Sequence, residues 1–338
     1  MSTPLASYGS ERIGFICGFV FAPDVPGRAT GLPEALEWLH HTAGREGEEF
    51  AWLHFNLATG ATEKWMHDHL SLPGIFQEAL HEGSQSTRIE YVDGSLIAVV
   101  NDALYDFSFG ASDIATLWIC VDQRRIITAR RKPLRSIDRL RAATKARALF
   151  RSSMDVLVHL LQDQCDVLVQ IVRDATSKVD RIEDSLLAGR LETRRLDLGA
   201  LRRVMVRLQR LLAPEPASLF RFLNRPPAWI AEPDVAALRQ STEEFAVVLN
   251  DMSALSERIK LLQEEIAAQV NEQNNRSLFL LTIFTVLALP INIIAGLFGM
   301  NVGGIPLNQD DRGFWTIVGI VVAFTLPALW IVLRRRRD

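Results

Sequence analysis

Only three cysteines occur in 338 residues, Cys17, Cys120 and Cys165, and no two stand at a paired spacing. A disulfide-built secreted domain and a zinc-finger framework are both excluded, and the three read as core residues. Excess basic charge is missing too. The formal net charge is -3, so nucleic acid is not an expected partner. Met1 to Ser10 lacks a basic residue followed by an apolar run, so no signal peptide is expected and the first 276 residues are expected to stay in the cytoplasm. The catalytic motifs are absent as well: there is no P-loop, no Gly-x-Ser-x-Gly elbow, no Cys-x-x-Cys and no metalloprotease His pair. Glu243-Glu244 and Glu264-Glu265 are adjacent carboxylates, which a helix points in different directions. Neither an enzyme nor a cofactor is expected.

Charge disappears altogether from two C-terminal stretches, Ser277 to Phe298 and Phe314 to Leu333. Each is about 20 residues, enough for a helix to cross a hydrocarbon core of about 30 Å. A buried hairpin in a soluble protein is the competing reading, but core helices rarely run this long without charge. The mean hydropathy of +0.10 therefore averages two unlike parts. The connector, Gly299 to Gly313, contains Gly303, Gly304 and Pro306 and reads as a tight loop across the membrane. Arg334 to Arg337 abut the second stretch, while the connector carries only Arg312 against Asp310 and Asp311. The positive-inside rule then places both termini in the cytoplasm, with Trp315 and Trp330 near the two headgroup layers.

The remainder divides in two. Residues 1–133 read as a cytoplasmic α/β domain, with strands over Gly14–Phe21, Phe50–Leu57, Thr87–Val92, Ser95–Asn101, Ala115–Val121 and Arg125–Ala129. Helical spacing marks Leu32–His41 and Leu72–His81. Residues 134–276 read as a helical funnel or stalk, with long helices over Ser136–Leu187 and Glu192–Leu212 interrupted by the proline-bearing run Ala213–Pro233. Residues 277–338 form the membrane domain. No glycine or proline occurs from Asp234 to Leu289, so one helix of roughly 55 to 60 residues is expected to run from cytoplasm into bilayer.

That helix carries two stripes. Val248, Met252, Leu255, Ile259, Leu262 and Ile266 are apolar at spacings of three and four, the pattern of a face packed on another helix or subunit. Asn250, Glu257, Glu264, Asn271, Leu278, Thr285, Asn292 and Gly299 recur every seven residues, with Ala254, Leu261, Ala268, Asn275, Thr282, Leu289 and Gly296 four further on. A packed coiled coil would make these positions apolar. Here they are mostly polar or small, and Thr282, Thr285 and Asn292 share one face of an otherwise apolar span. Polar groups on a membrane helix point to a bundle interior or a water-filled path. Two helices per chain cannot enclose a path, so several copies are expected around an axis. The alternative is a solvated face for the glutamates and threonines bonded to their own i-4 carbonyls. Gly296 and Gly299 allow close helix approach, and Pro290 frees a carbonyl within the span.

The tripeptide Gly299-Met300-Asn301 ends the first span, after Pro290 and Ile294-Ala295-Gly296. In this layout it resembles the CorA superfamily of divalent-cation transporters, and the continuation Val302-Gly303-Gly304-Ile305-Pro306 is similar to the ZntB branch of zinc transporters. The magnesium branch instead tends to carry an acidic Met-Pro-Glu-Leu loop where this chain has Gly-Ile-Pro-Leu. The resemblance implies a homopentameric funnel in a bacterial-type inner membrane, partnered by itself, divalent cations and lipid. It implies an α+β cytoplasmic domain, a stalk helix and two spans, with the first span lining the pore. Zinc is the implied cargo, taken up with protons, and a magnesium, cobalt or nickel channel is the alternative. On matching positions Gly299, Met300 and Asn301 ring the outer mouth, Asn292 and Thr285 line the path, and Leu278, Thr282 and Leu289 form narrower rings. Five Asn301 amides would hold the water shell of a divalent ion, and Asp310 and Asp311 would concentrate cations at the mouth.

Zinc prefers nitrogen and sulfur, yet no His or Cys occurs from Ser277 to Asp338. Candidate ligands lie only in the cytoplasmic part, at His67 and His69 and at His40-His41. His67 and His69 share a face if extended and diverge on a helix. Neither span has an ionisable residue, so coupling to protons would fall to Asp310 and Asp311 or to Glu257 and Glu264, where five-fold rings could raise carboxylate pKa values. The basic run Arg124 to Arg151 lacks the interleaved aromatics of a nucleic-acid platform and reads as a solvated face. A membrane-tethered regulatory protein is the second functional class, and it would not require a polar stripe inside the membrane.

Overall fold

The computed structural model describes residues 14–23, 25–42, 48–58, 60–83, 86–110, 112–188, 195–300 and 312–334. The chain forms two compact units, one up to Gln263 and one from Glu264. In the first, seven strands make one mixed sheet: β1 (Phe15–Ala22), β2 (Val25–Thr30), β3 (Phe50–Asn56), β4 (Arg88–Val92), β5 (Ser95–Ala103), β6 (Ile114–Val121) and β7 (Arg125–Arg130). Their order is β2-β1-β3-β7-β6-β5-β4, and among the described strands only β3 and β7 run parallel. All nine residues of β5 are buried, as expected of a strand covered on both faces.

Alternation along the strands feeds two cores. Phe19, Phe21, Trp52 and Ile119 face a layer that includes Leu140, Leu157 and Leu219, from helices α4 (Arg135–Lys145), α5 (Ser153–Leu187) and α7 (Pro214–Leu223). Their neighbours Leu53, Phe55, Ile97 and Trp118 face Leu32, Met66 and Phe76 of α1 (Leu32–Thr42), α2 (Gly60–His69) and α3 (Gly74–Glu82). The Trp118 indole donates to the Ala79 carbonyl at 3.0 Å and pins α3 to β6.

Four elements depart from the sequence expectations. β2 lacks alternation and holds Pro26 and Gly27, which suit an edge strand. A Cβ at Gly27 would come within 2.3 Å of the Phe21 ring. α2 buries only Thr62 and Met66, an i,i+4 pair too sparse to read as periodicity. The predicted helix Ser136–Leu187 is broken where Arg147 adopts φ +67°, and Ser152 restarts it by accepting the Asp155 amide at 2.9 Å. The proline run contains α7, with Pro214 at the first helical position, where a missing N–H costs nothing.

α6 (Arg195–Leu212) precedes α7, and α8 (Glu232–Phe298) is a single helix of 67 residues. In the first unit Val248, Met252, Leu255, Ile259 and Leu262 are all buried, and in the second so is Ile266. At the rim Arg258 bonds Asp180 and Glu183 of α5, and Arg202 of α6 donates to Gln263 at 3.4 Å. Ile259→Ala is expected to lower stability by about 2–5 kcal/mol, as truncation of a buried aliphatic side chain does. Leu261→Ala, on the exposed side, should cost less than about 0.5 kcal/mol in the isolated chain. Thermal unfolding of the two variants checks this pair; equal losses would place both residues in one core. α9 (Gly313–Arg334) follows in the second unit.

Candidate ion-conduction site

α8 owes its length to an uninterrupted run of helix-compatible residues and its two faces to the stripes. In the first unit Asn250, Ala254, Glu257 and Leu261 are exposed. They are offset by two positions from the buried stripe, roughly 200° around a helix, and so face away from the chain's own core. Glu257 bonds only to the Lys260 ammonium one turn on, at 3.0 Å, among the partners seen in the described residues.

In the second unit Glu264, Ala268, Asn271, Leu278, Thr282, Thr285, Leu289, Asn292 and Gly296 are exposed. The apolar stretch of α8 is not buried, and α8 is long and apolar enough to cross a membrane. The corresponding apolar stretch of α9 among the described residues is Gly313–Pro327. The threonine hydroxyls bond back along α8, Thr282 donating to the Leu278 carbonyl at 2.8 Å and Thr285 to the Leu281 carbonyl at 2.9 Å. Back-bonding occupies the proton and leaves the oxygen lone pairs outward, so each hydroxyl can accept from water or meet a cation. Pro290 stands inside the helix and denies the Val286 carbonyl its usual amide donor.

At the end of α8, Gly299 donates its amide to the Ala295 carbonyl at 2.9 Å, and Met300 is half exposed. Asn301, Asp310 and Asp311 lie outside the described residues.

The histidine pair takes the helical alternative, which corrects the proposed metal site. His67 and His69 sit in the last turn of α2. His67 Nδ1 meets Gln77 Oε1 at 2.6 Å, while His69 Nδ1 meets the Trp65 carbonyl at 2.9 Å and its ring stacks on Trp65. Two residues apart on a helix, the imidazoles diverge by roughly 200° and cannot share an ion. Among the described residues no three His, Cys, Asp or Glu are grouped to hold a metal.

Sequence reasoning missed a buried polar network behind the sheet. Asp102 of β5 accepts from the Ser136 hydroxyl at 2.5 Å and from its amide at 3.2 Å. Burial outweighs those bonds and pushes the Asp102 carboxyl up to about 6. Glu215, in the first turn of α7, is fully buried and raised by desolvation to about 8. Gln164 donates to its Oε2 at 3.3 Å, and Oε1 has no partner among the described residues. The one hint in the sequence is a carboxylate set between Pro214 and Pro216.

The described chain thus joins an α/β domain to one helix that is long and apolar enough to cross a membrane and polar along one face. The chain belongs to the CorA-like Mg2+ transporter protein family, whose model matches residues 47–336. It is 29% identical to the divalent cation transporter CmaX of Pseudomonas aeruginosa across 97% of this chain and 98% of that one. It is 24% identical to the zinc transport protein ZntB of Yersinia enterocolitica, covering 84% of this chain and 86% of that protein. The structure of full-length CmaX superimposes with a TM-score of 0.79 at 25% identity, over 98% of this chain and 100% of that one. The CorA magnesium transporter of Methanocaldococcus jannaschii shares the fold at a TM-score of 0.73 and 16% identity, over 93% and 96% of the two chains. The protein is a divalent-cation transporter of the CorA family.

Proposed function

We propose that five copies of this chain surround an axis in a bacterial-type inner membrane and pass zinc along the polar face of α8. Both termini are cytoplasmic, α9 is the second span, and the three regions 1–133, 134–276 and 277–338 serve as head, stalk and pore. The observation that carries the reading is the exposed face of Thr282, Thr285 and Asn292 on an otherwise apolar helix, its threonine oxygens turned outward. Such a face is costly toward lipid and favoured toward water or ions. Within the first unit the buried stripe of α8 leaves Asn250, Ala254, Glu257 and Leu261 exposed, open to other copies.

Zinc is supported by the ZntB relatives, and the Gly299-Met300-Asn301 ring would handle the ion hydrated, through neutral oxygens. Proton coupling falls to Asp310 and Asp311 at the mouth or Glu257 and Glu264 in the stalk, because the spans hold no ionisable group. One observation favours magnesium as a second reading. With no His or Cys from Ser277 to Asp338, and Met300 the one sulfur there, the membrane segment offers mostly oxygen donors, which suit a hard cation.

Flux into proteoliposomes decides between them. Zinc and magnesium are compared with and without an imposed pH gradient, beside Asn301→Ala. Zinc flux that follows the gradient and disappears in Asn301→Ala is the expected result. Magnesium flux indifferent to pH assigns the second reading, and flux untouched by Asn301→Ala removes the selectivity role of the ring.

A further inference from the structure

Surface arginines of this chain are commonly matched by carboxylates. Arg258 bonds Asp180 and Glu183, Arg131 bonds Glu63, and Arg125 bonds Asp122. α6 breaks that habit. Arg202, Arg203, Arg207 and Arg210 border one open cavity of about 460 Å³, and no carboxylate among the described residues lines it. Among the described residues Arg202 meets only the neutral Gln263 amide. Among the described residues Arg203, Arg207 and Arg210 have no ion-pair or hydrogen-bond partner, and Arg207 Nε is shut away from solvent without one. A buried donor left unmatched is costly, and so are four like charges on one short helix face. An anion in the groove would relieve the repulsion among the four charges.

The spacing limits what the anion can be. Arg203, Arg207 and Arg210 fall at i, i+4 and i+7, a single face about 10 Å long. Guanidinium forks present paired donors that match phosphate oxygens better than a spherical halide. The cavity has Val206 at its wall but no aromatic side chain on which a base could stack. A second cavity of about 470 Å³ shares Arg202 and Val206 and is bordered by Asn250 and Glu257 of α8. An anion held on α6 would therefore sit beside the exposed polar face of α8 and offset four positive charges there.

We propose that the α6 arginine groove binds a compact polyvalent phosphate, through charge and guanidinium geometry and without reading a nucleobase. The site does not depend on which cation the protein carries. Calorimetric titration of the full-length protein in detergent with inorganic tripolyphosphate tests it, alongside orthophosphate and ATP. Saturable binding of about one tripolyphosphate per chain is expected, weaker for orthophosphate and no tighter for ATP, and declining with added salt. Arg203→Gln/Arg207→Gln should weaken it at least about tenfold, and Arg207→Lys, which keeps the charge but loses the fork, by less. Lys132→Gln/Lys145→Gln, in the other basic region, should leave it unchanged. If the double arginine variant fails to fold, Arg207→Lys against the lysine control carries the comparison. Absence of saturable binding into the millimolar range, as when carboxylates of a second copy fill the groove, overturns the proposal. Equal loss in the arginine and lysine variants overturns it too, since binding would then follow net charge alone. Tighter binding of ATP than of tripolyphosphate removes the phosphate-only recognition.

Discussion

Asn292→Leu is expected to reduce divalent-cation flux at least about tenfold while leaving the melting temperature of the protein close to that of the parent. Asn292 is exposed on α8 and makes no contact that holds the fold of the described chain together. It is also the only amide between Ser277 and Phe298. Around an axis it would form the widest polar ring between Thr285 and the Gly299 turn. Leucine there would extend the apolar ring of Leu289, and a hydrated divalent ion would lose the oxygens that replace its outer water shell. Ile293 is the control. It is exposed next to Asn292, roughly 100° further round the helix. Ile293→Leu should keep full flux, because an aliphatic exchange off the polar face changes neither polarity nor bore. Parental flux in Asn292→Leu would remove α8's polar face from the pathway.

Glu215→Gln is expected to change how stability depends on pH. The folded-state carboxyl sits at about 8, against an ordinary value of 4.5, because burial penalises its charge. A carboxyl raised in this way binds a proton more tightly folded than unfolded. Its contribution is fully present below about 4.5 and is lost as pH rises toward and through about 8. Asp102, raised from 3.8 to about 6, acts in the same direction over a lower window, with its bonds to Ser136 as the counterweight. The protein should therefore melt at lower temperature at pH 8 than at pH 6. Glutamine copies the neutral acid and can keep the contact with Gln164 without a proton to lose. The variant should melt several degrees higher than the parent at pH 8, with most of the slope gone, a difference of a few kcal/mol. Identical pH profiles for the two proteins would mean that Glu215 is ionised in place and its charge matched.

Much of the candidate pathway was legible in the sequence, because it depends on local periodicity. A helix places residues three and four apart on one face wherever it folds, so the stripes on α8 were visible before any packing was known. The same holds for β3, β5, β6 and β7, whose apolar runs end in turn residues such as Asp122. β2 and α2 were not legible. β2 exists because β1 offers an unpaired edge, and α2 because Thr62 and Met66 find a core that distant strands build. His67 and His69 shared a face only under an extended backbone, and α2 decided against it.

From the sequence alone came the two apolar stretches, the charge-free spans without His or Cys, the polar face of α8 and the family. Each is a property of residue type and spacing along the chain, which folding does not alter. Tertiary structure decided which charges stay matched. Glu215 and Asp102 became buried because α5, α7 and β5 close over them, and the α6 arginines stand without carboxylates because, among the described residues, none of the neighbouring helices presents one. The free energy of a charge depends on its surroundings in space, and those surroundings come from segments far apart in the chain.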